Sequence, residues 1–428
     1  MSDLRGYRGW RSEVHYDVIV IGGGAGGTAA AIGAAQTGAR TLLVERHGFL
    51  GGASTISQVA TYCGFFTRGK RPEPVVAGVG KSVLEQLAGL GIPTAPFQVP
   101  STGNWVVLLD PEATKVAAER TVLASGVDLL LHARLIDAHT SDNVVEAITL
   151  FDHTGPFTLT AAAFVDASGD ANLAYLAGAR VRVGDGEGNF QVATLPLRFG
   201  GVAPTAALNA DAVIQAVDEH NQRGGRTLAA SKPLMVRLPL SGDILMLLAD
   251  EELTGISSRD LTKAEISARD QAWGYAAAFR AGLPGFEESY LASTGPHIGV
   301  REGRHVIGKE TVVGQELVEA SHRDDGVARA AWPIELHTRA GESTYEYIAN
   351  DSWADIPYDC LRSADRDNLW CAGRAISCDS QAYGSLRVMG TAFATGHAAG
   401  VGAASWLETG AHDVEHVRRL LVAQDALV

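Results

Sequence analysis

Three glycines and one acid near the start of the chain best fit a definite chemistry. Gly22, Gly24 and Gly27 satisfy G-x-G-x-x-G, and Glu45 stands 23 residues after Gly22. In such a pattern Gly22 permits a tight turn and Gly24 lets the backbone approach a pyrophosphate with no Cβ in the way. Gly27 lets a helix pack closely on a strand. The helix that follows offers unpaired N–H groups and a partial positive charge to phosphates. Glu45 is spaced to accept hydrogen bonds from ribose hydroxyls, and its charge would repel a 2′-phosphate. The pattern predicts an adenine dinucleotide site. Gly51 and Gly52 add a second close backbone approach, as a long cofactor needs. No second G-x-G-x-x-G stands between a strand and a helix. The clusters Gly184–Gly188 and Gly224-Gly225 read as turns.

A βαβ unit must hold these residues. Asp17–Ile21 is a β-branched run that predicts a buried parallel strand. Ala-rich Thr28–Thr37 predicts a helix stopped by Gly38, and Arg40–Val44 a second strand closing on Glu45. Further on, Pro111 starts a helix over Glu112–Ser125, and Val127–Ala133 reads as a strand. Val144–Phe151 and Pro156–Ala163 predict a hairpin around His153, Thr154 and Gly155, with a further buried strand over Ala163–Ala167. From Val181 to Asp351 the texture changes. Val192–Phe199 and Leu234–Leu240, interleaved with Pro and Gly, predict twisted, partly antiparallel strands. Leu261–Ala281 predicts a helix with Thr262 as its N-cap and Gly282 as its stop. Asn368–Ala372 then reads as a short buried strand, and Gly390–Leu407 as a second small-residue helix.

The predicted fold class is α/β. A discontinuous Rossmann-type nucleotide-binding domain, a parallel sheet with helices, takes residues 14–180 and 352–428. A mixed α+β substrate domain, residues 181–351, is inserted into it, and residues 1–13 form a tail carrying Arg5, Arg8 and Arg11.

Composition excludes several functions. Of 428 residues, 46% are hydrophobic and 20% charged, too apolar for a mostly disordered chain. Lys plus Arg number 35 and Asp plus Glu 49, a net charge of −14, which argues against a nucleic-acid surface and against attraction to anionic membranes. Val18–Gln36 is uncharged and long enough to cross a bilayer, but its six glycines point to strand–turn–helix, so no membrane span is expected. Met1–Trp10 lacks the apolar stretch of a secretory signal. Cys63, Cys360, Cys371 and Cys378 contain no CxxC pair, which argues against thioredoxin-like, structural-zinc and iron–sulfur chemistry. A cytoplasmic, reducing setting is expected.

Val18–Gly52 (VIVIGGGAGGTAAAIGAAQTGARTLLVERHGFLGG) resembles the FAD-binding N-terminus of flavoproteins of the glutathione-reductase structural class. More narrowly it resembles the FAD-dependent oxidoreductase family, distantly similar to the fumarate reductase and succinate dehydrogenase flavoproteins. Phe164–Asp170 (FVDASGD) is similar to that family's D-A-T/S-G-D strand end, and Ile298–Arg304 (IGVREGR) to its Arg-rich signature. Ile356-Pro357-Tyr358 and Asn368–Ala399 resemble its C-terminal flavin-binding run. Asp185–Gly295 is the least similar stretch.

The resemblance implies FAD as cofactor and assigns positions to it. Gly22, Gly24, Ala25 and Gly26 would line the pyrophosphate, and Glu45 and Arg46 the adenosine ribose. Gly51, Gly52, Ala53 and Ser54 would run beside the ribityl and flavin end. Leu135 would present backbone to adenine, and Ala167, Ser168 and Gly169 would pack near the adenine-ribose side. Gly373 and Arg374 would meet the ribityl–phosphate region. Gly390, Thr391 and Ala392 would open a helix aimed at flavin N1 and O2, where a helix N-terminus stabilises the negative charge of the reduced ring.

Candidate catalytic groups are Arg301, His337, Tyr383 and Arg387. A buried Arg301 or Arg304 could hold a substrate carboxylate in a two-point grip, or pair structurally with Glu302 or Glu310. His337 follows the apolar run Trp332–Leu336 and is either a base or a structural histidine. Tyr383, Ser385 and Arg387 immediately precede the flavin-facing helix. His47 and Cys63 are the conceivable covalent flavin attachments, but a non-covalent flavin is the expectation. Glu251-Glu252, Glu287-Glu288 and Asp324-Asp325 read as solvated surface, as do His412 and His416 on one predicted helix. No metal-ligand spacing occurs.

The expected function is transfer of a hydride between a small organic substrate and flavin N5, in the dehydrogenase or oxidase direction. The alternatives are an enoate-type reductase, a flavin-carrying electron-transfer subunit and a flavin-dependent hydroxylase, the last demanded by no sequence feature and needing a source of reducing equivalents. Electrons would pass to oxygen or to a redox partner, and a homo-oligomer stays open.

Overall fold

The computed structural model describes residues 15–224 and 227–428. Arg5, Arg8 and Arg11 of the tail lie outside the described residues. Tyr16–Ile21 is the central strand of a seven-stranded sheet, parallel to Thr41–Val44 on one side and to Gly155–Asp166 on the other. Asp128–Leu130 extends the parallel side beyond Thr41–Val44.

Gly155–Asp166 replaces the two separate strands expected there. Its first half pairs antiparallel with Val144–Asp152, and its second half runs parallel to Tyr16–Ile21 and to Leu369–Cys371. One strand therefore serves two settings. Exposed and covered residues alternate in its first half, and its last four residues are all buried. Arg134–Ser141, largely exposed, pairs with Val144–Asp152 at the sheet edge. It carries no apolar alternation by which it could be anticipated.

Two helices set the geometry around the glycine turn. Ala25–Gln36 and Met389–Thr409 are both rich in Gly and Ala and both lack an apolar stripe, because they are buried nearly all round. They pack backbone against backbone. A Cβ on Gly396 would collide with the Gly26 carbonyl, and one on Gly400 with the Ala30 carbonyl. The contact pairs advance together, so the helices run parallel. Met389 lies seven residues ahead of Gly396, which carries the second helix N-terminus about 10 Å beyond the first.

The middle of the chain builds a four-stranded antiparallel sheet: Leu234–Arg237, Ile244–Glu251, Ala193–Gly200 and Tyr290–Thr294 in that order. Ser258–Gly282 packs on it through Tyr275 and Phe279, with Phe199 and Phe286 in edge-to-face contact with Phe279. This helix begins four residues before Thr262. Ser257 is the cap: its hydroxyl accepts from the Asp260 N–H while the Asp260 carboxylate accepts from the Ser257 N–H. A hairpin, Ile334–Arg339 with Glu342–Glu346, packs on the short helix Ser380–Leu386, and the Gly341 N–H at its turn donates to Asp250 of this sheet at 2.9 Å. His412 precedes the last helix, Val414–Ala423, whereas His416 lies within it, so the two do not share a helix face. Among the described residues no helix is long and apolar enough to cross a membrane.

Candidate active site

The glycine turn joins Tyr16–Ile21 to Ala25–Gln36 as its spacing requires. Gly22 has φ of +101°, a backbone that only glycine adopts freely, and its N–H donates to the Val44 carbonyl at 2.8 Å. Gly24 is the N-cap and supplies no side-chain cap, which leaves the first N–H groups of the helix for a ligand. Glu45 is 7% exposed and tied down: Oε2 accepts from the Gly23 N–H at 2.7 Å and Oε1 from the His47 N–H at 2.9 Å. Burial raises its pKa, against the pull of those N–H groups.

The second glycine pair folds onto the first. The Gly51 N–H donates to the Gly23 carbonyl at 2.9 Å, and a Cβ on Gly52, at φ of +56°, would lie 2.7 Å from Gly24 Cα. Ser54 Oγ donates back to the Gly51 carbonyl at 2.8 Å, while Ala53 is exposed. Asp166 fixes the Ala167–Gly169 turn by accepting from the Ser168 N–H at 3.0 Å and the Ala174 N–H at 2.9 Å. That turn closes on Gly22, whose missing Cβ would strike the Ala167 carbonyl. Gly373 lies beside Gly26, and Arg374 reaches from it to the Val300 carbonyl and to Asp170 at 3.5 Å. Leu135 lies inside the Arg134–Ser141 strand, two residues past Ala133, whose N–H donates to the Glu45 carbonyl at 3.2 Å.

At the other end, the Gly390 N–H donates to the Cys63 carbonyl at 2.8 Å, and Val388 caps the helix without a side-chain bond. Thr391 Oγ1 is buried and has no partner in the protein, and the Ala392 N–H closes the first turn onto Val388. The fold thus presents two uncapped helix N-termini, a glycine seam and an orphan hydroxyl. Backbone of this kind fits the pyrophosphate and flavin ring of FAD.

The two conceivable covalent anchors sit in different settings. His47 Nε2 accepts from Arg46 Nε at 3.0 Å, and burial with nearby Arg46, His297 and His132 pulls the ring down to about 4. Arg46 itself is exposed. Burial and nearby Glu335 push the Cys63 thiol up to about 12, so it stays protonated.

Three of the four catalytic candidates, Arg301, His337 and Arg387, lie close to one carboxylate the sequence did not single out, and Tyr383 joins them only through the Arg301 carbonyl. Arg301 makes no ion pair with Glu302 or Glu310. Its Nη1 donates to the Val192 carbonyl at 2.5 Å and to Thr194 Oγ1 at 2.7 Å. Burial and nearby Arg387 lower its pKa to about 10. Glu302 accepts from the Gln191 N–H, Glu310 pairs with Arg323, and Arg304 donates to Asn172 Oδ1. Tyr383 is fully buried, its hydroxyl donating to the Arg301 carbonyl at 2.8 Å, and Ser385 Oγ donates to the Trp332 carbonyl.

The missed residue is Glu335. Its Oε1 accepts from Tyr345 OH at 2.7 Å and lies 3.2 Å from His337 Nε2. Its Oε2 accepts from Trp332 Nε1 at 2.9 Å and lies 3.9 Å from Arg387. Burial opposes its ionisation, yet His337, Arg387 and Tyr345 outweigh burial and hold the carboxyl well below its usual range. His337 Nδ1 is 2.8 Å from Ser343 Oγ, and burial with Arg301 nearby lowers the ring to about 4. Arg387 Nη2 donates to the Glu335 carbonyl at 3.1 Å, while its Nε is buried without a partner. A charged residue inside the apolar run Trp332–Leu336 was the available signal.

A family model described as FAD dependent oxidoreductase matches residues 17–424. The chain belongs to the FAD-dependent oxidoreductase family. FAD is therefore its cofactor. The family match covers both the glycine-built seam and the polar cluster.

Three individual likenesses stand beside the family match. A stretch of 37 residues is 62% identical to dihydrolipoyl dehydrogenase of Trypanosoma brucei brucei, 9% of this chain and 8% of that protein. The chain thus matches less than a tenth of the length of this curated relative. The solved structure of BexE, from a study of oxidation during BE-7585A biosynthesis, is 12% identical with a TM-score of 0.51. The match covers 96% of this chain and 66% of that one. A geranylgeranyl bacteriochlorophyll reductase-like protein from Thermoplasma acidophilum is 13% identical over 96% of this chain and 84% of its own, with a TM-score of 0.46. At such identity, likeness to a structure bears on the fold alone.

Proposed function

We propose that this FAD-dependent oxidoreductase removes a hydride from a small organic substrate, in the dehydrogenase or oxidase direction, with the flavin held non-covalently. The observation that carries the reading is that His337 and Arg387 meet at Glu335, with Arg301 nearby and Tyr383 bonded to the Arg301 carbonyl, beside the segment that opens the Met389–Thr409 helix. FAD, when bound, supplies the hydride acceptor at N5. Gly22, Gly24, Ala25, Gly26, Gly51 and Gly52 hold its phosphates by backbone, and Glu45 holds its ribose. Ala53, Ser54, Leu135, the 167–169 turn, Gly373 and Arg374 complete the cradle. Thr391 and the helix behind it favour negative charge at the ring.

Arg387, with its Nε open, orients a polar or anionic substrate group together with Arg301. His337 takes the accompanying proton at Nδ1, where the exposed Ser343 hydroxyl now sits and a substrate X–H would replace it. The apolar walls Val106, Trp332 and Val388 exclude water.

Two spectra test this. Purified protein should show oxidised-flavin bands that move wholly to the supernatant on acid precipitation. Anaerobic mixing with a panel of amines, alcohols and hydroxy acids should bleach those bands with at least one compound. Colour left in the pellet sinks the non-covalent assignment. Bands that no compound bleaches, in a chemically reduced protein that an enoate reoxidises faster than oxygen does, overturn the direction in favour of a reductase.

A further inference from the structure

The cluster around Glu335 has an order that the list of candidates does not convey. This one carboxylate is reached from four segments: it accepts from Trp332 before the hairpin and from Tyr345 on the paired strand, and it lies 3.2 Å from His337 Nε2 on its own strand and 3.9 Å from Arg387 after helix Ser380–Leu386. Tyr345 stands directly across the hairpin from Glu335, so the sheet register itself brings the two together. The His337 backbone is held as well. Its N–H donates to Gln191 Oε1 at 3.3 Å, and its carbonyl accepts from the Val192 N–H at 2.9 Å.

An ionised carboxylate can only accept hydrogen bonds. A ring nitrogen facing that charge at 3.2 Å is stabilised in its protonated form, and in a neutral imidazole that proton leaves the other nitrogen bare. The bare atom is Nδ1, which accepts from Ser343 Oγ at 2.8 Å on the exposed strand of the hairpin.

We propose that Glu335 is the positioning residue of this site: it fixes His337 with Nε2 protonated and Nδ1 as the basic atom, and ties Arg387 to the same point. The inference rests on the reading of His337 as proton acceptor and deepens it. When a substrate X–H replaces Ser343 at Nδ1, the X–H bond breaks, the N–H bond forms at Nδ1, and the electron pair stays with X. The imidazolium so formed keeps its Nε2–H on Glu335, whose charge stabilises it. Arg301 and Arg387 oppose that protonation, and Glu335 is the group that offsets them.

The test is imidazole nitrogen NMR on FAD-loaded protein carrying 15N-histidine, with the His337 signals identified by their loss in His337→Asn. At pH 7 the wild type should show a protonated Nε2 and a bare Nδ1. In Glu335→Gln the two signals should move to averaged, intermediate positions at unchanged FAD stoichiometry, and Glu335→Asp should restore the wild-type pattern. A wild-type ring protonated at Nδ1, or a Glu335→Gln spectrum like the wild type, overturns the proposal. Should Glu335→Gln fail to accumulate, Ser343→Ala decides. The pattern should survive removal of this exposed hydroxyl, and averaging there would make Ser343 the group that sets the tautomer. The expected tautomer in a protein that no substrate bleaches overturns the hydride-transfer reading and leaves the assignment of Glu335 standing.

Discussion

The FAD seam and the Glu335 cluster are built from opposite materials. The seam is backbone: Gly22, Gly27, Gly52 and Gly390 matter for the side chain they lack, and two helix N-termini lie at its ends. The cluster is side chain: Arg301, Glu335, His337, Tyr345, Tyr383 and Arg387 come from four separate stretches of chain and meet only in the folded state. A backbone site tolerates change in charge and fails on change in volume. A side-chain site should do the reverse.

The largest effect should follow from volume in the seam. A Cβ on Gly27 would fall inside the Gly22 carbonyl and within 3.1 Å of Ala167 Cβ. Gly27→Val should cost about 3 kcal/mol or more and abolish FAD retention. Flavin absorbance per polypeptide and the thermal midpoint check this, and a stable variant with full flavin content would break the distinction from the seam's side. From the cluster's side, Arg387→Met keeps volume and removes charge. It takes a charged partner and a backbone bond from Glu335 in a nearly closed site, worth about 2 kcal/mol. The midpoint should fall while flavin stoichiometry stays at one per chain. Loss of flavin in this variant would mean that the two regions are one cooperative site.

That difference in material also decides what the sequence discloses. The seam is legible because a backbone site is local: G-x-G-x-x-G, the strand before it, the helix after it and Glu45 fall within Tyr16–Glu45. The second glycine helix is legible for the same reason, since tight helix packing demands Gly and Ala at four-residue spacing, as at Gly396 and Gly400. The cluster is legible only in part. Arg301, His337, Tyr383 and Arg387 attract notice by type, but Glu335 is defined by the Tyr345 register and by Arg387, and neither is encoded near it. The 134–141 strand is missed because its edge position leaves it almost wholly exposed. The alternative pairing of Arg301 with Glu302 or Glu310 is absent for a like reason. Proximity in sequence favours it, but the fold turns Arg301 toward Val192 and Thr194 instead.

Acid should act on both regions together. His47 in the seam, and His305 and His337 in or beside the cluster, all have rings lowered to about 4, chiefly by burial. Each is neutral when folded and near 6.5 when unfolded, so the unfolded chain binds more protons as pH falls. The stability they contribute is complete above pH 6.5 and is lost from there down to about pH 4. The thermal midpoint should drop by about 2–4 °C between pH 6.5 and 5. His305→Phe should flatten the slope, since its Nδ1 is buried without a partner. A midpoint that rises over this window would show that the rings are protonated in the folded state.

The smallest effect sharpens the contrast most. Arg46 is the cation nearest the predicted ribose position in sequence, yet it is exposed and its Nε is spent on His47. An exposed charge gives up most of its attraction to solvent and salt, worth about 0.6 kcal/mol or about threefold in affinity. Arg46→Ala should therefore weaken FAD binding by about threefold at low salt and by less as salt rises, read by flavin fluorescence on titrating apoprotein. A loss of about a hundredfold would place the binding energy in a side-chain charge. The glycines would then shape a site that Arg46 fills, and the seam would be built from the same material as the cluster.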